Sequence, residues 1–167
     1  MRGGAPNMLE RTVSLRNLTI TLWHLSRWLY RTPLRPLARV VKTINLLVFG
    51  ANLEPEADVA ITAHLGHMGL GTTVHGSTII GEGVVIWQQV TIGCVDHKRE
   101  PGSGVTLERN VEVGAHAIVL APRGQRITIG EGARIGAGAI VRTDVPAGAV
   151  VVPEPSPIIT RTPTATP

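Results

Sequence analysis

The sequence predicts an all-β fold, a parallel β-helix with a short helical segment ahead of it. Three observations carry that prediction. Aliphatic residues return every six positions between Leu53 and Val141. Six of the thirteen such guide residues are followed at once by glycine, as at Ile80-Gly81 and Ile135-Gly136. Finally, 43% of the residues are hydrophobic but only 3% are aromatic, which suits a narrow interior filled by Val, Ile, Leu and Ala.

The period decides the architecture, because a helix repeats at about 3.6 residues and a plain strand at 2. Leu53, Val59 and Leu65 form a first run, and Val74, Ile80, Ile86 and Ile92 a second. Leu107, Val113 and Val119 make a third run, then Ile129, Ile135 and Val141 a fourth. Four positions after a guide stands a small or β-branched residue, such as Ala57, Thr78, Val90 or Ala139. Short strands linked by tight corners satisfy this pattern, three sides to a turn. The guides then point inward and stack on equivalents about eighteen residues away.

Ahead of the repeat, Leu18, Leu22, Leu25 and Leu29, with Trp23 and Trp28, predict an amphipathic helix from about Arg11 to Arg31. Pro33 and Pro36 should break it, and Leu37 to Phe49 reads as a second helix ending at Gly50. These helices are expected to cap the open end of the prism and cover its first edge. The run Ile44 to Phe49 is too short to span a bilayer. No signal peptide is expected. The organisation is therefore a basic helical arm over 1–50, the coil over 51–152 with a loop at 93–106, and a proline-rich tail over 153–167. Pro146, Pro153, Pro155 and Pro157 should end the repeat after Val141.

The net charge of +4 is uneven. Residues 1–50 carry eight Arg and Lys against Glu10 alone, and the remainder holds eight basic and eleven acidic residues. Such an arm suits an anionic membrane or a polyanionic substrate. Without a recognition motif or stacking aromatics, nucleic acid is not an expected partner. The single cysteine, Cys94, rules out an internal disulfide framework and fits a reducing, cytoplasmic setting with peripheral membrane contact compatible. It reads as a small filler or corner residue.

Chemistry is expected where the sixfold register breaks, because breaks in a solenoid become loops. The step from Leu65 to Val74 is nine residues, around Gly69-Leu70-Gly71. Gly93 to Thr106 is a polar stretch, and the ten-residue step from Val119 to Ile129 holds "APRGQR". Histidine accepts a proton near neutral pH without a large shift. His67 lies in the glycine-flanked bulge "LGHMGLGTTVHG" and is the candidate base. His24 and His116 read as solvated or subunit-contact side chains.

Divided into rungs, residues 53–94 read LEPEAD-VAITAH-LGHMGLGTT-VHGSTI-IGEGVV-IWQQVT-IGC. This resembles the serine O-acetyltransferase branch of the hexapeptide-repeat acyltransferases over about residues 50–160. "IWQQVTIG" after the histidine bulge and the closing "VPAGAVVVPEPSPII" carry the likeness. The resemblance implies a left-handed coil, a homotrimer, and acetyl transfer from acetyl-CoA to a hydroxyl with no metal. It implies His67 as general base. Where the family has an acidic residue that orients the base or holds the amino group of serine, this chain has Asn52, and Glu54 is the candidate substitute. Where the family's Arg-His-Pro motif binds the acceptor carboxylate, this chain has Ser103-Gly104. His97, Lys98 and Arg99 lie earlier in that loop and are the replacement candidates, so the acceptor is serine or a sugar hydroxyl. The "WHLSRWLYR" and "LLVFG" segments resemble the short helical lead of sugar O-acetyltransferases in this branch. Ala115 and Ala137 match the small residues beside which the family threads pantetheine. Arg123, Arg126 and Arg142 are candidates for the nucleotide phosphates. Two other readings compete. A γ-carbonic-anhydrase-like metalloenzyme would use His64, His67, His75 and His97 as ligands. A non-catalytic trimeric scaffold would leave the histidines incidental. Trimerisation also accords with Trp87, Met68 and Leu70 on exposed strand faces.

Overall fold

The structure, a computed structural model, describes residues 18–95 and 102–154. Two helices lead, α1 (Leu18–Tyr30) and α2 (Arg35–Phe49), and fourteen short strands follow among the described residues. The chain visits three parallel sheets in rotation. The first sheet holds β1 (Asn52–Leu53), β4 (Thr73–Val74), β7 (Thr91–Cys94), β10 (Ile118–Ala121) and β13 (Ile140–Val141). The second holds β2 (Asp58–Val59), β5 (Ile79–Ile80), β8 (Gly104–Leu107) and β11 (Arg126–Ile129). The third holds β3 (His64–Leu65), β6 (Val85–Ile86), β9 (Glu112–Val113), β12 (Arg134–Ile135) and β14 (Val150–Val151). From β1 to β13 each strand pairs with the one three further on, and β14 pairs with β12, so every turn of the chain crosses each sheet once.

All thirteen guide residues are buried, none more than 5% exposed. The partners four positions on, such as Ala57, Thr78, Val90 and Ala139, are buried too. The glycines after the guides have a steric reason. A Cβ on Gly114 would lie 2.6 Å from the backbone nitrogen of Ala137, because the next turn of chain rests on that corner. Among the guide pairs, only Val74 and Ile92 keep the eighteen-residue spacing. Others are further apart by the residues inserted at the breaks, as in Ile80 on Leu107 and Val119 on Val141.

The second and third breaks are not simple surface loops. Their inserted residues lengthen strands that then pair with one another. Thr91 to Cys94 lies against Ile118 to Ala121, and Gly104 to Leu107 against Arg126 to Ile129. Two extended corners therefore stack, which a one-dimensional register cannot reveal. Nor does the repeat end at Val141. Val145 bridges Ile129, and β14 pairs with β12, so the coil covers two more sides before Pro153.

The helices differ from expectation in extent and in face. Pro36 sits inside the first turn of α2, where a missing N–H costs nothing. Gly50 ends that helix in the left-handed region at φ 66°. Residues 11–17 of the expected first helix lie outside the described residues. In α1 the buried face is Thr19, Ile20, Trp23, Ser26, Arg27 and Leu29, whereas Leu18, Leu25 and Trp28 face out. Ser26 Oγ donates to the Ala38 carbonyl at 2.8 Å and Asn45 Nδ2 to the Thr19 carbonyl at 2.9 Å, which fixes the helices to each other.

Together the helices cover the first turn of the coil. Trp23 Nε1 donates to the Glu54 carbonyl at 2.9 Å and Arg27 Nη1 to the Val59 carbonyl at 2.6 Å. Arg27 also pairs with Asp58 at 2.6 Å and Lys42 with Glu54 at 2.5 Å. Side chains thus meet carbonyls and charges on the terminal turn, as capping of an open edge requires.

His24 is half-buried inside this helical pair and not solvated. Its Nδ1 faces Arg27 at 3.4 Å, and its Nε2 is buried with no partner. Burial first, and then the Arg27 charge, hold its pKa below the ordinary value. The unfolded chain therefore takes up this proton more readily than the native one. The corresponding stability is present above the ordinary imidazole value of about 6.5 and is lost as pH falls through it. The His24→Leu variant should show a shallower fall in melting temperature over that range than the parent. Identical slopes for the two proteins would refute this.

Candidate active site

The corners between the third and first sheets line up along one edge of the coil. That edge carries the bulge after β3, then Trp87 to Gln89, then Ala115 and His116, then Ala137 and Gly138. Backbone hydrogen bonds step along it, each from one turn of the chain to the next. Gln89 N–H meets the Leu70 carbonyl at 2.8 Å, His116 N–H meets Gln88 at 3.1 Å, and Gly138 N–H meets Ala115 at 2.8 Å.

His67 is exposed at the start of this edge. It and Met68 occupy the left-handed region at φ 47° and 56°, within a tight turn over Gly66–Gly69. A non-glycine residue there carries strain of order 1–3 kcal/mol. The surroundings hold it in place. Leu70 N–H returns to the His67 carbonyl at 3.3 Å and Thr72 N–H to Gly69 at 2.9 Å. The imidazole leans on Trp87, with ring centroids 5.9 Å apart and planes tilted by 43°. Trp87 is itself anchored, because its Nε1 donates to Glu112 Oε1 at 2.9 Å. Gly66 makes room for that indole, since a Cβ there would sit 2.6 Å from Trp87 Cε3.

Trp87 is thus half-buried and part of the site, not simply an exposed apolar residue. The sequence reading missed Trp87 and Glu112 as supports for the base. A tryptophan one coil beyond a histidine bulge is a usable signal only once the stacking register is known. Met68 and Leu70 are exposed beside it, as expected.

The other candidates fall in three places. Asn52 begins β1 on the same edge, and its N–H bonds the carbonyl of Thr72 at the end of the bulge, at 2.9 Å. Its side chain lines a groove of about 460 Å³ together with Tyr30, Arg39, Lys42 and Glu54. His67 is not among the residues that line this groove. Glu54 lies at the next corner, between the first and second sheets, with its carboxylate on Lys42. Ala115 and Ala137 lie on the His67 edge, one above the other, and Ala137 is exposed. Arg123, Arg126 and Arg142 lie instead at the corners between the first and second sheets or on the strand that follows. Arg126 is occupied by the carbonyls of Ser77 and Ser103, at 3.1 and 3.2 Å. His97 and Arg99 lie outside the described residues.

The loop at 93–106 leaves from that same far corner. Its base is a polar knot in which Cys94 Sγ lies 3.7 Å from His75 Nδ1 and 3.9 Å from Ser103 Oγ. Gly104 leaves no space for a side chain, as a Cβ would stand 2.4 Å from the Ser77 carbonyl. The loop and His67 therefore depart from opposite margins of the first sheet, at least a four-residue strand or about 13 Å apart. His64 lies on the third sheet, His67 at the corner after it, and His75 at the next corner, between the first and second sheets. Among the described residues no three His, Cys, Asp or Glu side chains converge to hold a metal ion.

Comparison with known proteins gives one consistent answer. The chain is 33% identical to the serine acetyltransferase of Helicobacter pylori strain J99 over 75% of its own length and 70% of that protein. It belongs to the serine acetyltransferase family. To the serine acetyltransferase of Synechococcus elongatus it is 36% identical over 81% of its length, spanning 53% of that relative. Among solved structures it is similar to Neisseria gonorrhoeae serine acetyltransferase in complex with serine, with TM-score 0.73 and 28% identity. That match covers 82% of this chain and 54% of the other, so the chain spans about half the length of the Synechococcus and Neisseria proteins. No protein-family model matches the chain. The family assignment disfavours the γ-carbonic-anhydrase reading.

Proposed function

We propose that this chain transfers an acetyl group from acetyl-CoA to an acceptor hydroxyl, with His67 as general base. One observation carries the reading. A strained, braced histidine and two stacked small-residue corners, Ala115 and Ala137, share one edge of the coil. That edge offers a path for an extended pantetheine arm that ends at the base. Family membership agrees with it, and with a left-handed winding of the coil.

In this mechanism the imidazole of His67 removes the hydroxyl proton as the oxygen attacks the thioester carbon. Such assistance contributes about 10²–10⁴ in rate. A carbon–oxygen bond forms, the carbon–sulfur bond breaks, and the thiolate of CoA leaves and takes the proton back from the imidazolium. Backbone N–H groups of the glycine-rich bulge are the candidate donors to the developing oxyanion. Trp87, fixed by Glu112, keeps the imidazole at one tilt.

Serine is the first acceptor to test, because the relatives carry that name. A sugar hydroxyl is the second reading, and particular residues favour it. Asn52 lacks the charge that would stabilise an imidazolium or hold an ammonium. Gly104 has no side chain with which to meet a carboxylate, and no room for one. CoA-thiol release from acetyl-CoA, measured against serine, sugars and nucleotide sugars, separates the two. Turnover with none of them, in protein that melts cooperatively, would overturn the assignment and favour the non-catalytic scaffold.

The assembly proposed is a homotrimer with a shared site. His67 and the 93–106 loop leave from opposite margins of one sheet, so a neighbouring copy is what brings a loop to the base. Sedimentation at micromolar concentration should give a trimer, and a monomer there would exclude the shared site.

A further inference from the structure

The corner residues of the His67 edge stand in columns, one residue for each turn of the coil. The last position of the corner forms the column Gly71, Gln89, His116 and Gly138, at φ 69°, 58°, 60° and 74°. All four occupy the left-handed region, which favours glycine. Glycine is what the column carries at both ends. Gln89 and His116 keep the same backbone and add large polar side chains to it. Residues other than glycine are uncommon there, and such outliers cluster at functional sites. Both side chains are exposed, and neither has a hydrogen-bond partner among the described residues. The corner does not need them in order to turn.

The surroundings leave room for a ligand. A Cβ on Gly71 would stand 3.0 Å from Gln89 Cγ, so glycine there makes space for the glutamine above it. Beyond His116 the edge is open, since a Cβ on Gly138 would meet nothing within 4 Å. Adjacent strands of a sheet lie about 4.8 Å apart, so Gln89 stands about one spacing from the His67 bulge and His116 about two. The pantetheine arm assigned to this edge has a matching period. Its thioester end is followed by two secondary amides with a β-alanyl unit between them. Amides of an extended peptide repeat at about 3.5 Å, and the extra methylene of a β-amino acid brings that to about 4.8 Å. Each amide offers one N–H and one carbonyl. A glutamine amide both donates and accepts, and a neutral imidazole does the same through its two nitrogens.

We propose that Gln89 and His116 hold the acyl donor by its two amides, Gln89 the one nearer the thioester and His116 the one beyond it. This rests on the acetyl-CoA reading of the edge, and it makes both residues determinants of donor specificity. Gln89→Gly and His116→Gly test it, because glycine keeps the corner conformation. Both variants should melt at or above the parental temperature. Each should raise KM for acetyl-CoA by roughly 2–10-fold, the loss of one neutral hydrogen bond, with a much smaller change in kcat. S-acetyl-N-acetylcysteamine keeps only the first amide, so it should register the Gln89→Gly penalty and not the His116→Gly penalty.

A KM for acetyl-CoA at or below the parental value in either variant would overturn the proposal, while turnover by the parent would leave the acetyltransferase reading standing. An equal His116→Gly penalty with both thioesters would overturn it as well. So would a His116→Gly protein that loses its assembly in sedimentation, which would assign that side chain to a subunit contact. If the parent turns over no acceptor, the acetyltransferase reading falls, and calorimetric titration with CoA alone still tests the arm. Weaker CoA binding by the variants supports the contacts, and equal or absent binding overturns them.

Discussion

Replacing His67 with asparagine is expected to lower CoA release with the preferred acceptor by about 10²–10⁴ while leaving the fold in place. Asparagine is the informative substitution because position 67 sits at φ 47°. Asparagine tolerates the left-handed region, whereas alanine there adds backbone strain to the loss of the base. The Asn variant removes the proton acceptor and keeps the turn. His67→Ala should be equally inactive but should also melt at lower temperature. The pair separates chemistry from conformation. Should His67→Asn turn over at the parental rate, His67 is not the base, and the edge geometry would need another proton acceptor.

The largest effect on stability is expected at Trp23. Its side chain is 1% exposed and its indole N–H meets the Glu54 carbonyl at 2.9 Å. Trp23→Ala should cost about 3–5 kcal/mol from the cavity and lost burial. The unpaired carbonyl adds about 1–3 kcal/mol if water does not reach it. Trp23→Phe keeps most of the volume and loses only the bond, so about 1–2 kcal/mol is expected. In a solenoid each turn touches only its neighbours, so the loss should be local. The helical signal in circular dichroism should melt ahead of the sheet signal in the alanine variant. A single transition at the parental midpoint would show that the helices do not depend on this contact.

The repeat was legible because its cause is local. Each inward guide must be apolar, and each corner under the next turn must be small, so the pattern is written at fixed spacing. The position of His67 was legible for a related reason, since a bulge in a strict period announces itself. The helices were less so. Leu18 and Leu25 look like a core stripe, yet Trp23 and Arg27 face the coil, because the coil's terminal carbonyls and Asp58 reward a donor and a cation. No local pattern encodes that. Nor did spacing show that the inserted residues of two breaks would pair as longer strands.

What the sequence determined by itself was the period, the burial of thirteen guides, and a histidine in a glycine-rich interruption. Only the tertiary structure decided which corners share an edge. That depends on counting turns of chain through insertions of unequal length. It joined His67 with Trp87, Ala115 and Ala137, and it set Glu54, Arg126 and the loop at another corner. The stacking of one turn on the next, a through-space contact between residues far apart in the chain, is what made the choice.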